Sequence, residues 1–370
     1  MTDYYKPTPG TILGGEYSVN EELGEGRYCH VVDGYCVAGT GMGAVGAAGS
    51  DSDAICSVAI KVFRTGSHSM ECWQNESRLL AMIGHHPNII KLLRAFAEVT
   101  LRDNTPYINP CIAYEKAGPT VSDLIKYCNE EHGSAIPLEH TKKIMNGLMS
   151  ALAHIHSVGV IHSDVKPGNL LLDRPIDRIS GLDFDVKLID FGSSVTKGND
   201  PIGVGTVGYL APEILFECEY TTSADIWSAF VSCFRMITGE ELIDVYGDSD
   251  IVYGDDCQCT VPECDSSDDS AGDDDDVINY RTLALLEKFL GPADKHWRKR
   301  ARKYYNSRRK LKNNPDIKPI TLGDLLRSNF EMTDYTAIEQ FLLLGIKYNP
   351  SARITATDTL NHKFLQADIV

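Results

Sequence analysis

Two neighbouring stretches, VIHSDVKPGNLLLD (Val160–Asp173) and VKLIDFG (Val186–Gly192), decide how this chain is read. They set Asp164, Lys166, Asn169 and Asp190 in a short loop and a following strand-end turn. Asp164 can accept a hydroxyl proton, and Lys166 can offset charge on a phosphate. Asn169 and Asp190 supply an amide and a carboxylate able to hold a divalent metal. The set suits phosphoryl transfer, in which protein groups supply positioning and charge rather than covalent chemistry.

Working toward the N-terminus, SVAIKVF (Ser57–Phe63) is rich in β-branched residues and reads as a strand carrying Ala59 and Lys61. A lone lysine in an apolar strand usually snorkels to the surface. Lys61 instead follows a glycine turn at a distance that suits phosphate binding. That turn is entered by a strand over Tyr17–Leu23 and runs Gly24-Glu25-Gly26-Arg27-Tyr28-Cys29-His30-Val31. Its two glycines let backbone approach phosphates closely, although such turns are common in ordinary hairpins. The Gly/Ala/Ser-rich segment 39–53 reads as a flexible loop. No helix start and no Gly-Lys-Ser/Thr follows it, which disfavours a P-loop ATPase. A helix is expected over Met70–Ile83, with Glu76 or Glu71 as the partner of Lys61.

The chain has 370 residues, 43% of them apolar and 24% charged, enough for one large or two ordinary soluble domains. No apolar run is long enough for a membrane helix, and Met1–Pro9 lacks a signal-peptide core. A cytoplasmic or nuclear protein is therefore expected, acting as a monomer. The segment 248–276 carries twelve acids and no bases, so a net charge of −17 falls to −5 without it. With so little to bury it is expected to be disordered. Cys257, Cys259 and Cys264 lie in this segment as unpaired thiols or, against their spacing, as metal ligands.

Pro137–Ser157 has a helical apolar period in Ile144, Leu148, Leu152 and Ile155, with His154 and His156 read as structural or solvated. Helices are expected from Ala224 to Ile237, from Val277 to Leu290, and across Tyr335–Phe364. Lys295–Lys312 carries ten basic residues with Trp297, Tyr304 and Tyr305 interleaved. Three readings stand: nucleic-acid binding, nuclear import, or a basic surface that pairs with the acidic segment.

Glycine turn, VAIK, HSDVKPGN, DFG, APE, DIWS and Arg353 occur in that order, and together they resemble a eukaryotic protein kinase over about Tyr17–Phe364. The resemblance implies an α+β, bilobal fold with a small antiparallel-sheet N-lobe and a larger helical C-lobe. It divides the chain into an extension (1–16) and a kinase domain (17–366). Within the domain it implies an N-lobe (17–114), a connector (115–118) and a C-lobe (119–366) that holds the acidic insert.

By the same resemblance ATP lies between the lobes, under Leu23, Gly24, Glu25, Gly26, Arg27, Tyr28, Cys29, His30 and Val31. It contacts Ala59, Lys61, Tyr114, Glu115, Ala117 and Leu171. Glu76 holds Lys61, Asn169 and Asp190 hold Mg²⁺, and Asp164 and Lys166 are catalytic. Gly192 permits the turn after Asp190. Glu213 would pair with Arg353, and Asp225 would cap the catalytic-loop backbone.

DVKPGN is similar to the serine/threonine type. CIAYEKAGPTVSDLI and the C-lobe pattern resemble the CMGC group and its SR-protein kinase branch, which implies basic, Arg/Ser-rich protein substrates. Departures from the pattern are Cys29 at the third glycine, Ser163 in place of the catalytic-loop arginine, Phe230 in place of a glycine, and GTVGYLAPE without arginines. Ser163 cannot pair with a phosphorylated activation loop, so activity without that switch is expected. The alternative is a pseudokinase scaffold that docks partners through its acidic and basic segments.

Overall fold

The structure, a computed structural model, describes residues 5–26, 29–37, 56–179, 181–199, 205–216, 218–246, 272–308, 310–312, 319–329 and 335–366. Expectations for Arg27, Tyr28, the 39–53 loop, Cys257, Cys259, Cys264 and the insert from 248 to 271 lie outside the described residues.

Alternating burial builds the small lobe. Strands β1 (Ile12–Leu13), β2 (Tyr17–Glu25), β3 (Cys29–Cys36), β4 (Ser57–Phe63), β5 (Leu92–Arg102) and β6 (Thr105–Glu115) form one antiparallel sheet, ordered β1-β2-β3-β4-β6-β5. Successive strand residues point to opposite faces. Val58, Ile60 and Val62 of β4 therefore enter a core with Leu13, Val19, Val32 and Phe96. Ala59 and Lys61 are left facing the interlobe cleft. Helix α1 (Ser67–Ile83) packs beside β4, β5 and β6 and buries Glu76, Leu79, Leu80 and Ile83.

The sheet begins before Tyr17. β1 pairs with β2, Leu13 is fully buried, and Phe96 lies where a side chain on Gly14 would stand. Residues 12–16 are thus part of the lobe and not an extension to it. A two-residue strand shows no periodicity by which sequence could reveal it.

The large lobe follows with α2 (Val121–His132) and α3 (Leu138–Ser157). Strands β7 (Val160–Ile161), β8 (Leu170–Leu172), β9 (Val186–Leu188) and β10 (Val195–Thr196) come next. Its remaining helices are α4 (Pro212–Leu215), α5 (Ser223–Thr238), α6 (Gly272–Leu290), α7 (Lys295–Arg300), α8 (Leu322–Asn329), α9 (Thr336–Gly345), α10 (Ala356–Leu360) and α11 (Lys363–Gln366). Thr120 caps α2 by accepting from the Asp123 N–H at 3.0 Å, while the Asp123 side chain accepts from the Thr120 N–H at 2.8 Å. The reciprocal cap fixes where the connector enters the helix. Ile144, Leu148, Leu152 and Ile155 are fully buried on α3.

Phe230 is accommodated by a glycine elsewhere. It lies in α5, fully buried against Phe341 at 5.0 Å between ring centroids. A Cβ on Gly345 would meet its ring at 2.2 Å. α6 starts at Gly272, five residues before the expected Val277, and so takes in Asp273–Asp276.

Trp297, Tyr304 and Tyr305 belong to the C-lobe core. Phe216 meets Trp297 edge-on at 5.2 Å and stacks on Tyr305 at 6.4 Å. The Tyr305 hydroxyl donates to Glu287 Oε1 at 3.1 Å. Tyr304 and Tyr305 are buried and Trp297 is partly buried, so the rings pack inward and are not interleaved on an open basic surface. No described helix is long and apolar enough to cross a membrane.

Candidate active site

The cleft between the lobes has a volume of about 410 Å³, within the range of small-molecule sites. Gly24, Glu25, Gly26, Cys29, Val31, Ala59, Lys61, Glu76, Tyr114, Glu115, Leu171, Asn169 and Asp190 line it, as expected from sequence. Ile90, Thr120, Gly168 and Ile189 line it as well. Sequence reasoning missed those four because an isolated apolar residue or loop hydroxyl carries no periodic signal.

Leu23, His30 and Ala117 were expected there and do not line it. Leu23 sits where the β2–β3 register shifts between Glu22 and Gly24, and its side chain is half exposed. His30 is buried on the other face of β3, since Cys29 and Val31 take the cleft face.

At the small-lobe wall, Lys61 Nζ donates to Glu76 Oε2 at 2.8 Å and to Asp190 Oδ1 at 2.7 Å. Glu76, not Glu71, is the partner. Its other oxygen accepts from the Tyr114 hydroxyl at 2.7 Å. Burial works against the Lys61 charge, but Asp190 and Glu76 outweigh it and hold the ammonium above its usual range. Lys61 holds the Asp190 carboxyl down at about 2, against burial. Asn75 of α1 donates to the carbonyls of Gly192 at 3.3 Å and Ser194 at 2.7 Å, tying the helix to the segment after Asp190.

In the large lobe, Asp164 is the centre of a hydrogen-bond cluster. Lys166 Nζ donates to Asp164 Oδ2 at 2.8 Å, and Asn169 Nδ2 donates to the same oxygen at 2.9 Å. The Thr206 hydroxyl and N–H both donate to Oδ1, at 2.6 and 3.0 Å. Lys166 also donates to the Thr206 hydroxyl at 2.5 Å. Thr206, 42 residues beyond Asp164, was not singled out from sequence, because only the fold brings it there.

Asp225 secures the catalytic loop. Its carboxylate accepts from the N–H of His162 at 2.8 Å and of Ser163 at 2.9 Å, and binds His156 Nε2 at 2.8 Å. Ser163 and Asp190 take positive φ, 74° and 66°, in non-glycine residues. The left-handed turn in Asp190-Phe191-Gly192 thus falls on Asp190 itself, not on Gly192. Such strain persists where the surroundings over-determine it, as the bonds to Asp225 and Lys61 do here. Ser194 is fully buried and donates to the His162 carbonyl at 2.9 Å, so it is not presented for phosphorylation. Below the loop, Arg353 grips Glu213 with two bonds of 2.7 and 2.6 Å, both side chains fully buried.

The donor set fits a hard divalent metal and ATP. Asn169 spends its amide N–H groups on Asp164, at the backbone carbonyl and at Oδ2, which leaves its hard carbonyl oxygen available. Asp190 lines the same cleft and offers an ionised carboxylate. Val31, Ala59, Ile90, Leu171 and Ile189 give the cleft an apolar interior for a planar ring.

The protein kinase domain family matches residues 17–365. A dual specificity protein kinase, lkh1, of Schizosaccharomyces pombe is 26% identical over 99% of this chain and 49% of its own length. The serine/threonine-protein kinase AFC3 of Arabidopsis thaliana is 26% identical over 70% of this chain and 63% of its own. The serine/threonine-protein kinase SRPK of Physarum polycephalum is 25% identical over 84% and 80%. The chain thus spans about half the length of the fission-yeast relative. These relatives agree with the expected CMGC resemblance. A crystal structure of a kinase domain superposes with a TM-score of 0.70 at 19% identity, covering 98% of each chain, and shows the same bilobal fold. The chain belongs to the protein kinase domain family.

Proposed function

We propose that this protein transfers the γ-phosphoryl group of Mg-ATP to serine or threonine hydroxyls of basic, Arg/Ser-rich proteins, without prior phosphorylation of its activation loop. The observation that carries the reading is the gathering of Lys166, Asn169 and Thr206 on the Asp164 carboxylate, with Asn169 lining the same cleft as the Lys61–Glu76–Asp190 ion-pair chain. Bound Mg-ATP would supply the phosphoryl group, and its metal ion the largest local positive charge. Asn169 and Asp190 would hold the metal, and Lys61, fixed by Glu76, binds the phosphates. Asp164 orients the acceptor hydroxyl and takes its proton. All four lone-pair sites of its carboxylate are occupied in this structure, so Lys166 turns toward the phosphoryl group as the substrate hydroxyl takes its place on Oδ2. Lys166 then offsets the charge on the transferred group.

Two observations support independence from an activation-loop phosphate. Position 163 offers a hydroxyl and not a cation, and its N–H is tied to Asp225. Thr206 is held on Asp164 by unmodified groups. The net charge of −17 supports a basic substrate, since it steers cationic chains toward the enzyme.

Phosphatase-treated protein with Mg-ATP and an Arg/Ser peptide, an acidic peptide and a Ser-Pro peptide tests this. Transfer to the Arg/Ser peptide is expected. Asp164→Asn should cut turnover by about 100-fold or more while keeping ATP binding and the melting temperature. Lys61→Met should likewise lose most turnover with the fold intact. Transfer to another peptide overturns the substrate class alone. Absence of both transfer and ATP binding leaves a scaffold.

A further inference from the structure

Cys36 ends β3, and Cys56 stands one residue before β4. The ladder pairs Tyr35 with Ser57, so the next pair outward is Cys36 with Cys56. The Cys36 N–H donates to the Cys56 carbonyl at 2.9 Å and extends the ladder to that pair. Residues directly opposite each other in an antiparallel pair share one face. The two side chains accordingly stand side by side at the end of the ladder. Both are free thiols, Cys36 half-buried and Cys56 exposed.

We propose that Cys36 and Cys56 form a reversible dithiol–disulfide site that staples β3 to β4. Hydrogen-bonded antiparallel partners hold their Cα atoms about 5.5 Å apart. That lies within the roughly 4.4–6.8 Å that a disulfide spans. The pair stands at the open end of the ladder, where the strands can adjust to the bridge.

A small disulfide such as glutathione disulfide is the oxidant. The exposed Cys56 loses its proton, attacks one sulfur of that disulfide and releases one glutathione thiolate. Cys36 then loses its proton and attacks the Cys56 sulfur, releasing the second. One disulfide forms in the protein, one is reduced, and the two protein protons pass to the two glutathione thiolates. Cys56 is the more exposed of the two, which leaves the first attack to it. An exposed bridge stays open to thiols, which makes the step reversible.

The other described thiols are poorer candidates. Cys29, Cys72, Cys111, Cys128 and Cys233 are buried, with burial pushing Cys29 up to about 11 and Cys111 to about 12, and the half-buried Cys218 donates to the Phe216 carbonyl at 3.6 Å. The same ladder pairs Val31 with Lys61, so the staple would fix the two strands that carry cleft residues.

The test is digestion of the full chain after exposure to glutathione disulfide, with peptides read by non-reducing mass spectrometry. A Cys36–Cys56 linked peptide lighter by two hydrogens is expected, lost on adding dithiothreitol. Cys36→Ser should abolish the link and leave glutathione on Cys56. If Cys36→Ser misfolds, differential alkylation of the wild-type chain replaces it, with both thiols blocked together. Separate glutathione adducts on Cys36 and Cys56 with no link overturn the proposal. So does a link from either thiol to a third cysteine, or no change at either thiol. The readout does not depend on catalysis, so it stands apart from the proposed kinase reaction.

Discussion

The Tyr114 hydroxyl donates to Glu76 Oε1 at 2.7 Å, while Lys61 holds Oε2 of the same carboxylate at 2.8 Å. Glu76 is 1% exposed, so neither oxygen has water to fall back on. Tyr114 reaches it because β6 alternates, sending Cys111 and Ala113 into the sheet core and Ile112 and Tyr114 toward α1. A tyrosine at the back of the cleft thus positions the helix that positions the lysine.

Tyr114→Phe removes only the hydroxyl and leaves a buried carboxylate oxygen short of a donor, at a cost of about 1–3 kcal/mol. A melting temperature lower than wild type is expected. Looser Glu76 placement should also slow turnover by about tenfold, the rate equivalent of about 1.4 kcal/mol. Steady-state kinetics beside a melt check both. A normal kcat would show that Lys61 alone holds Glu76.

Thr206 bonds both side chains proposed to be catalytic, Asp164 at 2.6 Å and Lys166 at 2.5 Å. Thr206→Val keeps the shape and the N–H bond but loses the hydroxyl. Loss of a hydrogen bond to charged groups should cost about tenfold in kcat. Thr206→Ser should restore most of it. Equal loss in both variants would point to packing instead.

The Glu213–Arg353 pair is fully buried, and Arg353 also donates to the carbonyls of Ser223, Lys347 and Tyr348. Arg353→Met strands a charge and should destabilise the C-lobe by about 3–5 kcal/mol. Urea unfolding measures it. Pairing Arg353→Met with Glu213→Gln should recover part of the loss, because the stranded charge is gone.

Asp33 of β3 binds Lys116 of the connector at 2.7 Å and accepts from Asn20 at 3.0 Å. Burial raises its carboxyl pKa, but these partners outweigh burial and hold it below the ordinary 3.8. A depressed folded pKa contributes stability above the ordinary value and loses it as pH falls through the lowered one. Acid unfolding of Asp33→Asn should therefore show a weaker pH dependence below 3.8 than the wild type. Identical acid limbs would remove Asp33 from the account.

Much of the site was legible because short-range chemistry wrote it. Asp164, Lys166 and Asn169 share one loop, and the strand period in SVAIKVF already separates Lys61 from Val58, Ile60 and Val62. The same period was available for β3 and would have sent His30 away from Cys29 and Val31. Leu23 escaped that rule, since the β2–β3 register shift turns it out. The aromatic residues of Lys295–Lys312 could be read as an exposed platform only until Phe216 was placed against them.

By itself the sequence determined the reaction-bearing residue types, their order, the strand carrying Lys61 and the helix carrying Glu76. Local spacing and periodicity suffice for those. Tertiary structure alone decided that Glu76 is shared between Lys61 and Tyr114, that Thr206 closes on Asp164, and that Gly345 makes room for Phe230. Each of these joins residues far apart in the chain. Such contacts depend on how packed elements meet, and no local pattern records that.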